Sequence, residues 1–322
     1  MIAVVVASYG RANLLAQLVG GLEAQDLKQP FEVVLVDDCS PDGTSAVLAQ
    51  LAESARFPLK VLRTDRNRGP AFARNLGWRA SSSPLLAFTD DDCIPEPGWL
   101  SGLVAALERV DVVQGRTLPN PLQAERVGAF SRSLHITAPT SFFETANMGY
   151  RRRVVEDVGG FDESFPLAAG EDTDLGHRAI AAGASFVFAS DAVVHHEVHA
   201  SSFVSAVAKT KSWQGLVKVV VRYPELRRFF DGRRFVWHRR HQLALVALLG
   251  LTLSAGRPRL GVRRGALALI VPYVNWRLRR EPLCPGRAER IARLPQALVL
   301  DLAECTHAAI GQVQSRGDAH AG

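Results

Sequence analysis

The sequence predicts an α/β protein: a mostly parallel sheet flanked by helices, followed by a helical, basic and apolar C-terminal extension. Three observations point there. Short β-branched runs alternate with amphipathic stretches through the first half of the chain, the pattern of strand–helix–strand units with right-handed crossovers. Two of those runs, 31–36 and 85–88, end abruptly in clustered carboxylates. The charge is also divided: residues 1–205 hold 17 Lys and Arg against 25 Asp and Glu, whereas residues 206–322 hold 21 against 7. Two regions are therefore expected, 1–205 and 206–322, with different partners.

Residues 2–7 are a buried strand by their β-branched composition. The segment has no basic n-region and is too short for a signal peptide. Asn13 is positioned to cap a helix whose apolar face is Leu14, Leu15, Leu18, Val19 and Leu22. The second strand, 31–36, closes in Asp37-Asp38, and a helix with Val47, Leu48 and Leu51 follows the turn at Pro41-Asp42-Gly43. Residues 59–62 form a third strand. Asn67-Arg68-Gly69-Pro70 opens a helix on which Ala73 and Gly77 permit close packing on the sheet. The fourth strand, 85–88, ends in Thr89-Asp90-Asp91-Asp92, and a helix follows near 99–110. Residues 112–115 are a short strand. Residues 116–143 are irregular and suit a lid or an acceptor-facing loop. Residues 145–150 are strand-like, and a short basic helix starts at Arg151. Gly170-Glu171-Asp172 opens another helix, with Asp174 and Arg178 spaced as an ion pair. Residues 185–189 and 192–195 are two short strands, the second running into a cluster of His195, His196 and His199.

A strand period of two places Asp90 and Asp92 on one side of the chain and Asp91 on the other. Three adjacent acids repel one another unless water or a cation compensates them. At the carboxyl end of a parallel strand they read as a divalent-metal site, and in isolation as a solvated acidic turn. The repetition of acids at a second strand end favours the site. The four cysteines, Cys39, Cys93, Cys284 and Cys305, show no CxxC spacing, which fits a reducing compartment and argues against a zinc site.

Six segments in order, Ser8-Tyr9-Gly10-Arg11, Val36-Asp37-Asp38-Cys39-Ser40, Asn67-Arg68-Gly69 with Ala73-Arg74-Asn75, Thr89-Asp90-Asp91-Asp92, Gly159-Gly160-Phe161-Asp162-Glu163 and Gly170-Glu171-Asp172, closely resemble family 2 glycosyltransferases of the GT-A fold. The resemblance covers residues 2–205. It implies a Rossmann-like nucleotide-binding sheet and inverting transfer from a nucleotide-sugar donor (UDP-, GDP- or dTDP-linked). Asp37 or Asp38 would accept from the nucleobase, with Ser8, Tyr9 and Arg11 lining the same pocket. Asn67, Arg68, Gly69 and Arg74 would lie along the nucleotide, the two arginines pairing with phosphate or with the acids. Asp90-Asp91-Asp92 resembles the DxD signature, implying Mn²⁺ or Mg²⁺ on the donor diphosphate. Asp92 is the direct ligand, Asp90 or Asp91 touches the ribose or completes the metal shell, and His196 is a further ligand. Glu171-Asp172 matches the acidic pair that holds the catalytic base, with Asp172 as the base.

Residues 206–322 fall outside the resemblance. An apolar stretch, 242–255, is flanked by Arg239-Arg240 and by Arg257 and Arg259. It is shorter than the roughly 20 residues that span a bilayer. Shorter runs, 266–274 and 297–303, follow. These read as helices on a membrane interface, with basic groups toward anionic lipid and Trp237, Tyr273 and Trp276 at headgroup depth, or as a re-entrant hairpin. The other reading is a soluble helical cap or dimer interface. Nucleic acid is disfavoured by the apolar runs. Residues 314–322 are expected to fray. The expectation for the whole chain is a metal-dependent glycosyltransferase at the cytoplasmic side of the cell membrane, peripheral or monotopic, acting on a lipid-linked or cell-envelope glycan. The rivals are a sugar nucleotidyltransferase and a membrane scaffold with a decayed transferase domain.

Overall fold

The computed structural model describes residues 1–128, 130–165, 167–231, 238–255, 265, 267–280 and 287–318. Two compact units result: Met1–Glu125 with Ser133–His199, and Arg126–Arg132 with Ala200–Gly322.

The first unit contains strands β1 (Ile2–Ser8), β2 (Phe31–Asp37), β3 (Leu59–Arg63), β4 (Leu85–Thr89), β5 (Cys93–Pro95), β6 (Val112–Pro119), β7 (Asn147–Arg151) and β8 (Phe186–His196). They form one sheet in the order β3-β2-β1-β4-β7-β6-β8-β5. β3, β2, β1 and β4 are mutually parallel, and β6 is parallel to β8. β7 runs antiparallel between β4 and β6, and β5 runs antiparallel to β8.

Both faces are covered over the central strands, which is why β1, β2 and β4 are nearly continuous apolar runs rather than alternating ones. Val4, Val6, Val33 and Leu35 face α1 (Leu15–Glu23), Leu48 of α2 (Thr44–Ser54) and α4 (Trp99–Leu107). Ala3, Val5, Leu86 and Phe88 face α3 (Pro70–Arg79), α5 (Arg152–Asp157) and α6 (Glu171–Ala181). Gly77 allows α3 to approach closely, because a Cβ there would stand 2.6 Å from Val5 Cγ1.

Several elements differ from their expectation. Asn13 does not cap α1; Leu14 is the capping position and no side chain bonds there. The three acids do not alternate about a strand, because β4 stops at Thr89 and they occupy a turn closed by Cys93 N–H donating to Asp90 O. The two late strands are one, β8, interrupted where its register on β6 shifts between Gly115 and Arg116. Its exposed Ser190 and Asp191 made the sequence look broken.

The second unit is helical: α7 (Phe203–Lys209), α8 (Trp213–Arg222), α9 (Arg239–Ala255), α10 (Val271–Arg280), α11 (Arg287–Ala292) and α12 (Leu294–Asp318). Ser202 Oγ accepts from Ser205 N–H and caps α7. Gly311 lets α12 pass close to α8, since a Cβ there would lie 2.8 Å from Gln214 Cα. The expected fraying from residue 314 is not seen up to Asp318, as α12 continues and buries Gln312 and Ser315. Tyr273, expected at headgroup depth, is buried instead and donates to Asp301 Oδ2 at 2.9 Å. Trp237, Arg257, Arg259, Ala266 and Cys284 lie outside the described residues. Among those described, no helix is long and apolar enough to cross a membrane.

Candidate active site

Parallel pairing sets Ser8 beside Asp37, and the ends of β1, β2 and β4 together. A cleft of about 400 Å³ opens there. It is lined by Ser8, Tyr9 and Arg11 after β1, Asp38 after β2, Asn67 and Gly69 ahead of α3, Arg74 on α3, and Asp90, Asp91 and Asp92 after β4. The loop after β1 is pinned to the next turn by Gly10 N–H donating to Ser40 Oγ and Arg11 N–H to Thr44 Oγ1.

Asp37 and Asp38, neighbours in sequence, have different surroundings. Asp38 accepts from Thr64 Oγ1 at 2.9 Å and from the N–H groups of Arg68 and Gly69, so its carboxylate fixes the entry to α3 from the cleft wall. Asp37 is not among the lining residues. It accepts from Ser40 N–H at 2.9 Å and pairs with Arg63, holding the turn after β2. Arg68 also stands outside the lining, its guanidinium 3.4 Å above the Phe72 ring.

Arg74 joins the two acidic motifs. It is buried, its Nη2 donates to Asp90 at 2.9 Å and its Nη1 to Glu171 at 2.7 Å. Asp90 therefore faces a guanidinium. Burial pushes the Glu171 carboxyl up, against the opposing Arg74 charge. Glu171 Oε2 is buried without a hydrogen-bond partner among the described residues. Asp172, in the first turn of α6 behind Gly170 (φ +97°), accepts from Thr173 N–H at 2.7 Å. Burial, reinforced by the Glu171 charge, holds its carboxyl well above the ordinary range. Glu144 also acts on Asp172 electrostatically; its own carboxyl is raised by burial, and it accepts from Gln114 Nε2 at 2.9 Å. Sequence reasoning passed over Glu144, which lies in an irregular stretch with no motif. Phe143 (φ +50°) packs that stretch onto α6 at Gly176, where a Cβ would meet the ring at 2.2 Å.

The third cluster depends on a short strand. β5 pairs antiparallel with the end of β8, Cys93 opposite His196, and Glu197 N–H donates to Asp92 O at 2.8 Å. Asp92 is thereby set against His196 and His199. His196 Nε2 lies 3.6 Å from Asp92 Oδ1, and His199 Nε2 lies 2.7 Å from Asp92 Oδ2. His196 Nδ1 is 2.8 Å from the Glu197 carbonyl, which can only accept. Nδ1 therefore carries a proton, and in the neutral form of the ring the lone pair is on Nε2, on the side of Asp92, the arrangement typical of a metal-binding imidazole. Burial opposes ionisation of Asp92, but the His199 hydrogen bond and the His196 and Arg11 charges outweigh it and hold the carboxyl at about 2. One carboxylate and two imidazoles within 4.8 Å of one another suit a divalent cation. Asp90, expected beside the cation, pairs with Arg74 and lies outside this cluster, which includes His199. His195 points to the opposite side of β8 and meets Glu96 at 2.7 Å. Asp91 is buried between these groups, and burial with the adjacent Asp92 charge pushes its carboxyl up to about 7.

This architecture has known counterparts. The chain is similar to the mannosyltransferase PcManGT of Pyrobaculum calidifontis, solved with GDP-Man and Mn²⁺, at a TM-score of 0.59 and 20% identity over 97% of this chain and 86% of that one. It is 33% identical over 204 residues to the glycosyltransferase AglE of Haloferax volcanii, covering 61% of this chain and 66% of that protein. It is 33% identical over 198 residues to the succinoglycan biosynthesis protein ExoO of Rhizobium meliloti, covering 56% and 55%. The chain thus spans less than two thirds of the length of AglE and of ExoO. The family model described as glycosyl transferase family 2 matches residues 3–159, and that described as glycosyl transferase family group 2 matches residues 85–278. Sheet order, acid-lined cleft and family match agree: the chain belongs to the family 2 glycosyltransferases.

Proposed function

We propose that this protein transfers a sugar from a nucleotide-sugar donor to a hydroxyl of a glycan or lipid-linked acceptor, with inversion, at a site that uses Mn²⁺ or Mg²⁺. The observation that carries the reading is the cleft lined by Asp90, Asp91 and Asp92, where Asp92 also meets His196 and His199 and Asp90 is joined to Glu171 through Arg74. The donor set of Asp92, His196 and His199 fits a divalent cation, and PcManGT was solved with Mn²⁺ and GDP-Man. When bound there, the cation would supply Lewis-acid stabilisation of the departing diphosphate.

The chain's own groups do the rest. Exposed Tyr9 offers a ring face to the nucleobase, and Asp38 and the Asn67–Gly69 backbone border the nucleoside. Asp37 serves them indirectly, by holding the turn. Arg11, 3.5 Å from Asp92, adds positive charge where the diphosphate leaves. Arg74 fixes Asp90 and Glu171 relative to each other. Asp172, with its raised proton affinity, takes the proton of the attacking acceptor hydroxyl as the new bond forms on the opposite side of the sugar carbon. The acceptor class is supported by the likeness to a succinoglycan biosynthesis protein. A location at the cytoplasmic face of the membrane is supported by the basic C-terminal region.

The test is release of nucleoside diphosphate from a panel of UDP-, GDP- and dTDP-sugars with Mn²⁺ and candidate glycan acceptors. At least one donor should turn over in the wild type. Asp172→Asn should lose roughly 10²–10⁴-fold in kcat while donor affinity changes little, because the base acts on the acceptor. Undiminished turnover in Asp172→Asn would remove the base assignment. Pyrophosphate release from a nucleoside triphosphate would point to nucleotidyl transfer instead.

A further inference from the structure

The helical unit buries a cluster of ion pairs beside an apolar core of Ala244, Ala247 and Tyr273, and leaves several leucines of α9 exposed. α9 turns His241, Ala244, Ala247 and Gly250 inward. Ionisable groups meet beside them: Asp301 pairs with Arg240 at 3.1 Å and with Arg277 at 2.6 Å, Glu304 pairs with Arg240 at 2.7 Å, and His241 Nε2 lies 2.7 Å from Glu304. Tyr273 completes this interior by its bond to Asp301. The outward face of α9 carries Leu245, Val246, Leu249 and Leu253, spaced as neighbours on one side of a helix and 38%, 40%, 52% and 48% exposed. No charged residue occurs between Arg240 and Arg257. Scattered exposed leucines are ordinary, but a continuous exposed apolar face on a helix whose other side is already packed is what water disfavours.

We propose that this outward face of α9 seats in the interfacial layer of an anionic bilayer. Charge selects that occupant over a second copy of the chain. Residues 206–322 hold 21 basic against 7 acidic residues, so two such surfaces repel one another, whereas anionic headgroups attract them. Exposed Arg239 and Arg279 provide basic groups on α9 and α10. At 17 residues α9 is about 25 Å long, less than the roughly 30 Å hydrocarbon core, so it lies along the surface rather than crossing it. The proposal names the membrane partner within the transferase reading, yet it depends on the helical unit alone; loss of donor turnover would leave it standing.

The experiment is flotation of the full-length protein with vesicles of phosphatidylcholine alone and of phosphatidylcholine with phosphatidylglycerol. The wild type should float with the anionic vesicles and much less with the neutral ones. The double variant Leu245→Asp, Leu249→Asp should bind at least about tenfold more weakly, while its thermal melting and its melting shift with donor stay as in the wild type. Leu249→Trp, a substitution the exposed position tolerates, should be quenched by brominated lipid beyond the wild-type level. Flotation of the double aspartate variant equal to wild type, or no extra quenching of Leu249→Trp, would overturn the proposal. A dimer seen by light scattering without lipid, dissolved by the double variant, in a protein that ignores anionic vesicles would assign the face to a second copy instead.

Discussion

Asp172 and Asp91 are the two carboxyls whose protonation the fold changes most visibly, with different consequences. A base must be unprotonated to act. Because the fold raises Asp172, kcat/KM is expected to rise with pH through a value above the ordinary carboxylate range, and Asp172→Asn should abolish that limb. Asp91 has a stability consequence. Its folded-state carboxyl, at about 7 against an ordinary 3.8, binds its proton more tightly than in the unfolded chain. Its contribution is therefore fully present below the unfolded value and is lost as pH rises toward about 7. In metal-chelated protein, Asp91→Asn should leave urea stability near wild type at acid pH. Above neutrality it should raise stability by an amount on the order of a few kcal/mol. A pH-independent difference would contradict this. The residue scale is also where sequence reading reached its limit. Asp37 and Asp38 are indistinguishable as a pair of acids at a strand end. Their separation follows from Arg63 on β3 and from the Arg68 and Gly69 amides, which only the parallel register brings near.

At the scale of elements, β1, β2 and β4 could be read directly because a strand buried on both faces is a nearly unbroken apolar run. β5 could not. It is three residues long, ends in Pro95 with Pro97 close behind, and has no pattern of its own, yet its pairing with β8 sets Asp92 against His196 and His199. Which histidine of the 195–199 cluster meets Asp92 was hidden for the same reason, whereas the pairing of Arg74 with an acid was among the readings of its motif. The motifs nonetheless mixed two jobs. Asn75, in the same segment as Arg74, donates to the Phe161 carbonyl at 2.9 Å and accepts from Phe161 N–H and Trp78 Nε1, so it docks the Gly159-Gly160 turn on α3. Gly77 was read as a packing residue, and the structure agrees. Gly77→Val should destabilise the protein by about 1–3 kcal/mol by overpacking α3 against β1, measured as a lower urea midpoint. An unchanged midpoint would mean that α3 shifts freely on the sheet.

The whole molecule joins an acidic-cleft sheet unit to a helical unit of opposite charge. Composition changes near residue 205, and the compact units divide at His199 and Ala200. The grouping of residues 126–132 with the helical unit was not visible, since two arginines in seven residues make no periodic pattern. The apolar runs were legible as helices, but their orientation was not. Which side of α9 faces inward depends on Asp301 and Glu304, some fifty residues further on.

The claim on which the transferase reading rests is that Asp92, His196 and His199 hold a divalent cation that the donor diphosphate needs. Thermal melting of the wild type and of Asp92→Ala, with UDP, GDP or dTDP in the presence of Mn²⁺ or of a chelator, tests it directly. The wild type should melt higher with one nucleotide and Mn²⁺ together than with either alone, by mass action on the native state, and Asp92→Ala should lose that joint increase. An equal increase in chelator, or in Asp92→Ala, would contradict it.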